Sequence, residues 1–132
     1  MKKIIVLFFI LFISLPTFAG NIQYEYKNGE YRPSYIGNEK VQYSYENGKY
    51  RATSIGGKKI QYTYENGQYR PKYIGNEKIR YGYENGEYRA ISVGNKNVNY
   101  EYKNGNYRVK SVGNTQIQYS YQNGKSRPTS IK

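Results

Sequence analysis

The chain has 132 residues, contains no cysteine or histidine, and carries 21 Lys and Arg against 9 acidic residues, a net charge of +12. It also lacks aspartate, so thiol nucleophiles, familiar catalytic triads and strong transition-metal sets are excluded, and no catalytic residue, metal site or cofactor is predicted. The excess of positive charge favours anionic partners, although it also serves solubility alone.

The first segment has the pattern of a secretory signal peptide. Lys2 and Lys3 precede an apolar run from Ile4 to Leu15, and the small residues Thr17 and Ala19 suit cleavage before Gly20. An uncleaved membrane anchor is the alternative. We therefore predict a signal peptide over residues 1–19, no membrane span after its removal, and export to the periplasm, the cell surface or the medium.

Residues 20–132 are one tandem repeat with a step of 19 residues. Asn-Gly pairs recur at this step, at 28–29, 47–48, 66–67, 85–86, 104–105 and 123–124. The repeats lie at about 19–37, 38–56, 57–75, 76–94, 95–113 and 114–132. Because six repeats fill the chain, we predict a single domain with no linker.

Each repeat is predicted to form a β-hairpin. Ile22, Tyr24 and Tyr26 alternate with polar residues, and Asn-Gly is the strongest short signal for a two-residue hairpin turn. The turn sets four cross-strand pairs: Lys27 with Glu30, Tyr26 with Tyr31, Glu25 with Arg32, and Tyr24 with Pro33. These aromatic and oppositely charged pairs each stabilise a sheet by about 0.2 to 1 kcal/mol.

The connection between hairpins is predicted as a loop over residues 36–40. It pairs Tyr35 with Val41 and Pro33 with Tyr43, which keeps the tyrosines on one face. Proline removes a donor from the ladder, so its recurrence at positions 33 and 71 indicates that alternate second strands are short or interrupted.

The fold class that follows is all-β, an antiparallel meander of about twelve short strands. One face carries Ile, Val and Tyr, and the other carries polar and charged residues. A sheet of this size with an aromatic face must curl, close, stack or dimerise. We predict a curled or coiled hairpin array, with a closed β-barrel as the alternative.

Basic residues on the predicted polar face form the candidate ligand-binding set. Its members are Arg32, Arg51, Arg70, Arg89, Arg108 and Arg127, one per repeat, together with Lys72, Arg80 and Lys110. The repeat arginines would form a row at intervals of about 9.5 Å. Their planar groups suit phosphate and carboxylate. Alternatively, their stems cover the sheet and recur only because the unit was duplicated.

Two rows of tyrosines flank the predicted turns. They are Tyr26, Tyr45, Tyr64, Tyr83, Tyr102 and Tyr121 before the turn, and Tyr31, Tyr50, Tyr69, Tyr88 and Tyr107 after it. We expect them to pack in the core, because the mature chain has few other large apolar groups; stacking on sugars or bases is the alternative. Nucleic acid is not expected as a partner, since aromatic and basic residues are predicted on opposite faces.

The repeat resembles known families of tandem aromatic hairpins. YENGKYR, residues 45–51, is similar to the Tyr-x-Asn-Gly core of MORN-type repeats, and IGNEKVQYSY, residues 36–45, resembles the rhythm of YD repeats in RHS-type proteins. Glu46 stands where the YD unit has Asp. The resemblance implies an exported scaffold or binding array and assigns no ligand residue.

The functional prediction is an exported, non-enzymatic repeat protein that binds an anionic glycan or cell-envelope polymer through its basic face. The alternative is a structural protein that self-associates through the two open edges of the meander.

Overall fold

A computed structural model describes residues 20–122 and 124–132. The predicted signal peptide, residues 1–19, lies outside the described residues, as does Asn123 in the last turn. The described residues form twelve antiparallel strands: β1 Gly20–Lys27, β2 Glu30–Ile36, β3 Glu39–Glu46, β4 Lys49–Ile55, β5 Lys58–Glu65, β6 Gln68–Ile74, β7 Glu77–Glu84, β8 Glu87–Val93, β9 Lys96–Lys103, β10 Asn106–Val112, β11 Thr115–Gln122 and β12 Lys125–Ile131.

Consecutive strands pair as six hairpins, numbered 1 to 6 along the chain. In hairpin 1 the four predicted cross-strand pairs, from Lys27 with Glu30 to Tyr24 with Pro33, are all present, so the predicted register is confirmed. Asn28 and Gly29 have φ of 55° and 84°. Positive φ at both central residues defines a type I′ turn, which asparagine and glycine tolerate best.

The connection between hairpins is shorter than predicted. Tyr35 pairs with Lys40 and Ile36 pairs with Glu39, which leaves Gly37 and Asn38 as a two-residue turn in place of the predicted loop. Gly37 has φ of 57°, a conformation that costs glycine little. The predicted pairs of Tyr35 with Val41 and Pro33 with Tyr43 are therefore wrong.

A β-bulge explains the error. Gln23 pairs with Tyr35 while Tyr24 pairs with Pro33, so Ser34 is an extra residue in β2. The bulge reverses the parity of the strand, which turns Tyr35 outward and brings Pro33 and Ile36 to the same buried face. Bulges occur at the same step in all six hairpins, with or without proline. The prediction of short or interrupted second strands in alternate repeats is wrong, because each second strand has seven residues.

The sheet closes into a twelve-stranded barrel. The first strand pairs with the last, Gly20 with Ile131 and Asn21 with Ser130. The closed barrel, given above as the alternative to an open array, is therefore the correct architecture. The two terminal strands that the self-association hypothesis needed as open edges are paired with each other.

The core is one cluster of aliphatic side chains on the inner face. Each repeat contributes the first apolar residue of its hairpin and the last, for example Ile22 and Ile36 in hairpin 1. The residues at the position of Pro33 are buried beside them. The core is therefore built from small and medium-sized side chains, three from each repeat, that are distributed around the ring.

Candidate functional site

Neighbouring hairpins are joined by backbone pairing only near one end of the barrel. The ladder between β6 and β7 has two pairs, Tyr73 with Lys78 and Ile74 with Glu77, and the ladder between β2 and β3 is equally short. We call this end, with the Gly37–Asn38 turn, the base, and the ends at the Asn-Gly turns the tips. Beyond the base, successive hairpins separate, and the gaps between them are bridged by side chains.

A tyrosine hydroxyl bridges each gap. Tyr43 donates a 2.7 Å hydrogen bond to the carbonyl oxygen of Pro33 in the preceding hairpin. Equivalent bonds run from Tyr62 to Ala52, Tyr81 to Pro71, Tyr100 to Ala90 and Tyr119 to Val109, and Tyr24 closes the ring by donating to Pro128. Burial raises the pKa of all six hydroxyls above the usual tyrosine value, and a nearby arginine opposes this effect. The hydroxyls therefore stay protonated as donors.

The repeat arginines lie against these same tyrosines. The guanidinium carbon of Arg32 is 4.0 Å from the ring centroid of Tyr43 and 5.6 Å from that of Tyr50, both in the next hairpin. The arrangement recurs around the ring, and Arg127 of the last hairpin lies over Tyr24 and Tyr31 of the first. Within one hairpin the arginine and the tyrosines do face opposite ways, but neighbouring hairpins bring opposite faces together.

The predicted row of arginines on the polar surface is therefore wrong for hairpins 2, 3 and 4. Arg51, Arg70 and Arg89 are buried, with only 4% of Arg70 exposed. Arg51 and Arg70 donate to the backbone carbonyls of Glu46 and Glu65. Each of these two buried guanidinium groups thus has a carbonyl acceptor and lies over a tyrosine ring of the next hairpin.

The other arginines have acidic or polar partners. Arg32 forms the predicted pair with Glu25 at 3.1 Å, and Arg108 forms the equivalent ion pair with Glu101 at 2.8 Å. Arg89 forms an ion pair with Glu84 at 3.3 Å, although its cross-strand partner in the hairpin is Gly82. Its buried Nε and Nη1 have no hydrogen-bond partner among the described residues. The repeat arginines thus bond within their own hairpin and lie over tyrosine rings of the next hairpin.

The two tyrosine rows at the tips are exposed, so the prediction that they pack in the core is wrong. Exposure ranges from 36% for Tyr88 to 76% for Tyr121. Tyr26 and Tyr31 contact each other edge to face at 4.8 Å across the turn, as do Tyr45 with Tyr50, Tyr64 with Tyr69, and Tyr102 with Tyr107. The tyrosines that pack on the core are those of the Tyr24 row. The tips therefore present aromatic rings to solvent.

The three remaining predicted site residues lie on the outer surface. Lys72 and Lys110 occupy the bulge position of hairpins 3 and 5, and Arg80 faces outward opposite Ser92. Arg80 and Lys110 are exposed, and Lys72 is half-buried. A bulge redirects the side chain of its extra residue, and in hairpin 3 this residue, Lys72, lines the gap to hairpin 4.

The gap between β6 and β7 is a cleft of about 320 Å³. Its walls include Lys72 from hairpin 3 and Lys78, Arg80, Tyr81 and Tyr88 from hairpin 4. Thr63, Glu65, Ile79 and Ile91 complete the lining. Sequence reasoning selected Lys72 and Arg80 but missed Lys78 and the two tyrosines, because only the separation of β6 from β7 brings them together.

A second cleft of about 360 Å³ separates hairpins 2 and 3. Its lining includes Arg51 and, at the positions equivalent to Lys72, Lys78 and Arg80 of the first cleft, Thr53, Lys59 and Gln61. It therefore has the same construction with fewer accessible cations.

Comparison of the chain with protein-family models, curated proteins and solved structures gave no match. Among residues 20–122 and 124–132, no helix has the length and hydropathy needed to cross a membrane. The same residues contain no group of three or more His, Cys, Asp or Glu side chains placed to hold a metal ion.

Proposed function

We propose that the protein is an exported, non-enzymatic binding protein for an anionic glycan of the cell envelope or the extracellular medium. The observation that carries the proposal is the coexistence of exposed tyrosine rings and accessible cations on one closed ring. Aromatic rings stack on the apolar faces of sugars, and cations pair with carboxylate or sulfate groups. The signal-like segment at residues 1–19 supports the exported location.

The accessible cations differ from those of the original hypothesis. Three repeat arginines are buried between hairpins, so the proposed ligand contacts are Lys72, Arg80 and Lys110, with lysines such as Lys78 beside them. Residues 20–132 hold 19 Lys and Arg against 9 Glu, a net charge of +10. A field of this sign steers anionic polymers toward the protein.

Single-stranded nucleic acid is the main competing candidate for the ligand. The earlier objection, that basic and aromatic side chains lie on opposite faces, applies within a hairpin but not between hairpins. Many of those arginines are nevertheless buried, which leaves few guanidinium groups beside the exposed rings to hold phosphates. The buried arginines therefore favour a glycan.

Calorimetric titration of residues 20–132 tests the proposal. We expect a heparin hexasaccharide to bind, with at least a tenfold loss of affinity between 50 and 300 mM salt. Neutral maltohexaose should bind at least tenfold more weakly at the lower salt concentration. Absence of salt-sensitive binding of both heparin and an oligogalacturonate hexamer, or tighter binding of hexathymidylate than of either glycan, would contradict the proposal. So would salt-resistant oligomers without glycan binding, measured by light scattering.

A further inference from the structure

The gap between hairpins 3 and 4 carries more cations than the other five gaps at three equivalent positions. At the bulge position and the two outward positions of the following strand it carries Lys72, Lys78 and Arg80. The equivalent triplets in the other gaps are Ser34, Lys40 and Gln42; Thr53, Lys59 and Gln61; Ile91, Asn97 and Asn99; Lys110, Gln116 and Gln118; and Thr129, Asn21 and Gln23. Each of these contains one cation or none.

The aromatic wall of this gap is also different. In four other hairpins the tyrosine after the turn contacts the tyrosine before it edge to face. Tyr88 instead stacks on Tyr81, with ring centroids 5.8 Å apart and an angle of 15° between the planes. Two nearly parallel rings thus line the cleft that contains the three cations.

We infer that this gap, which we name the Lys72 cleft after Lys72, Lys78, Arg80, Tyr81 and Tyr88, is a single subsite for one acidic sugar residue. Lys72, Lys78 and Arg80 would pair with its sulfate or carboxylate group, while the exposed part of the Tyr88 ring contacts the sugar. The ring faces are already in contact with the Arg70 guanidinium and with Tyr81, which fix the orientation of Tyr88. Glu65 in the lining offsets one of the three positive charges and can accept a hydrogen bond from a sugar hydroxyl. The inference rests on the proposed function, because it assigns the acidic glycan one anchoring point on a ring of six similar hairpins.

The structure of the cleft suits this ligand. About 320 Å³ is at the lower end of the volumes usual for small-molecule sites, which matches one sugar residue better than a polymer segment. Lys78 approaches from the strand opposite Lys72, since it pairs with Tyr73 at the base of the gap. Cations from two strands can therefore face one anionic group from both sides.

The test compares two variants of equal charge by titration with a heparin hexasaccharide. The unmodified protein should bind one hexasaccharide per chain. In the cleft variant, Lys72→Gln, Lys78→Gln and Arg80→Gln, we expect the affinity to fall at least tenfold. In the control variant, Lys27→Gln, Lys103→Gln and Lys125→Gln, three exposed lysines at the tips are removed, and we expect less than a threefold loss. Both should retain the unfolding temperature of the unmodified protein, because all six substitutions are at the surface.

The outcomes separate the subsite from the proposed function. If the unmodified protein binds heparin and the two variants lose affinity equally, the Lys72 cleft is wrong and the general basic surface stands. If the unmodified protein does not bind heparin, it is titrated with an oligogalacturonate hexamer. This probe carries carboxylates and no sulfate, so it shows whether the site selects carboxylate over sulfate. Failure of both probes overturns the proposed function and the subsite together.

A further variant, Tyr88→Ala, should weaken binding severalfold without altering charge. Unchanged affinity would show that the Tyr88 ring is not part of the site.

Discussion

Deletion of one repeat should strongly destabilise the folded protein. Removal of residues 57–75 joins Gly56 to Asn76 and so recreates a Gly-Asn turn like the one at 75–76. Local sequence is thereby preserved, and only the number of hairpins changes. Five hairpins must either open the ring or change the angle between every neighbouring pair. Both outcomes break the arginine and tyrosine contacts that cross each gap.

We expect the five-repeat chain to lose about 20 °C or more in unfolding temperature, equivalent to a loss of several kcal/mol, and to associate at increasing concentration. Circular dichroism and light scattering measure both effects. A monomeric five-repeat chain as stable as the six-repeat protein would contradict the account.

A circular permutant is the matched control for this deletion. The chain would start at Asn76, continue to residue 132 with Lys132→Gly, add one Asn, and resume at Gly20 to end at Gly75. The junction reproduces a two-residue Gly-Asn turn, because Ile131 and Gly20 are paired partners in adjacent strands. The permutant keeps six hairpins and should unfold within a few degrees of the natural chain.

Replacement of Arg70 by alanine should destabilise the protein more than replacement of Arg127. The Arg70 guanidinium is buried, donates a 3.2 Å hydrogen bond to the Glu65 carbonyl, and lies 4.7 Å from the ring centroid of Tyr88. A buried cation–π contact contributes up to about 2 kcal/mol and a hydrogen bond from a charged group contributes about 1.5 to 3 kcal/mol. Because these terms are not additive, we expect a loss of about 2 to 4 kcal/mol in the free energy of unfolding.

Arg127 has the same position in the last hairpin but is half-buried, and its hydrogen bond to the Gln122 carbonyl is longer, at 3.4 Å. Arg127→Ala should therefore cost about 1 kcal/mol or less. Arg70→Lys should recover little of the loss, since an ammonium group cannot stack as a planar guanidinium does. Urea unfolding of the three variants measures these differences. Equal losses for Arg70→Ala and Arg127→Ala would show that the buried arginines do not hold the hairpins together.

The hairpins could be predicted from the sequence because their determinants are local. Asn28 and Gly29 fix the turn, and the turn fixes the pairs of Tyr26 with Tyr31 and Glu25 with Arg32. The bulge at Ser34 could not be predicted, because nothing in the sequence around Pro33 indicates which residue of the strand is left unpaired. That single extra residue reverses the parity of the second strand, which invalidated the predicted pairing between hairpins.

Closure of the ring and the positions of the arginines depend on contacts between repeats. The interhairpin ladders contain only two pairs each, so few residues in the sequence indicate how one hairpin lies against the next. The position of Arg32 over Tyr43 follows from that packing and not from the pattern within a hairpin. The Lys72 cleft could be predicted only in part: Lys72 and Arg80 belong to the predicted basic set, whereas their proximity to Lys78 and Tyr81 depends on the packing of the hairpins. Membership of the YD or MORN-type families stays a prediction.

Formation of a disulfide between the first and last strands would test the closed ring most directly. The natural chain has no cysteine, so Asn21→Cys and Ser130→Cys introduce the only thiols. These residues are paired across β1 and β12. Paired positions in antiparallel strands have Cα atoms about 4.5 to 5.5 Å apart, within the range that a disulfide spans. In an open array of twelve strands they would be on the order of 50 Å apart.

The measurement is the intact mass and non-reducing electrophoretic mobility of the oxidised protein at low concentration. The closed ring predicts nearly complete conversion to an intramolecular disulfide in a monomer with unchanged circular dichroism. A second pair, Asn21→Cys with Ser92→Cys in hairpin 4 on the opposite side of the ring, should stay reduced. Free thiols or only intermolecular disulfides in the Asn21 and Ser130 pair would contradict the closed ring and the contacts derived from it.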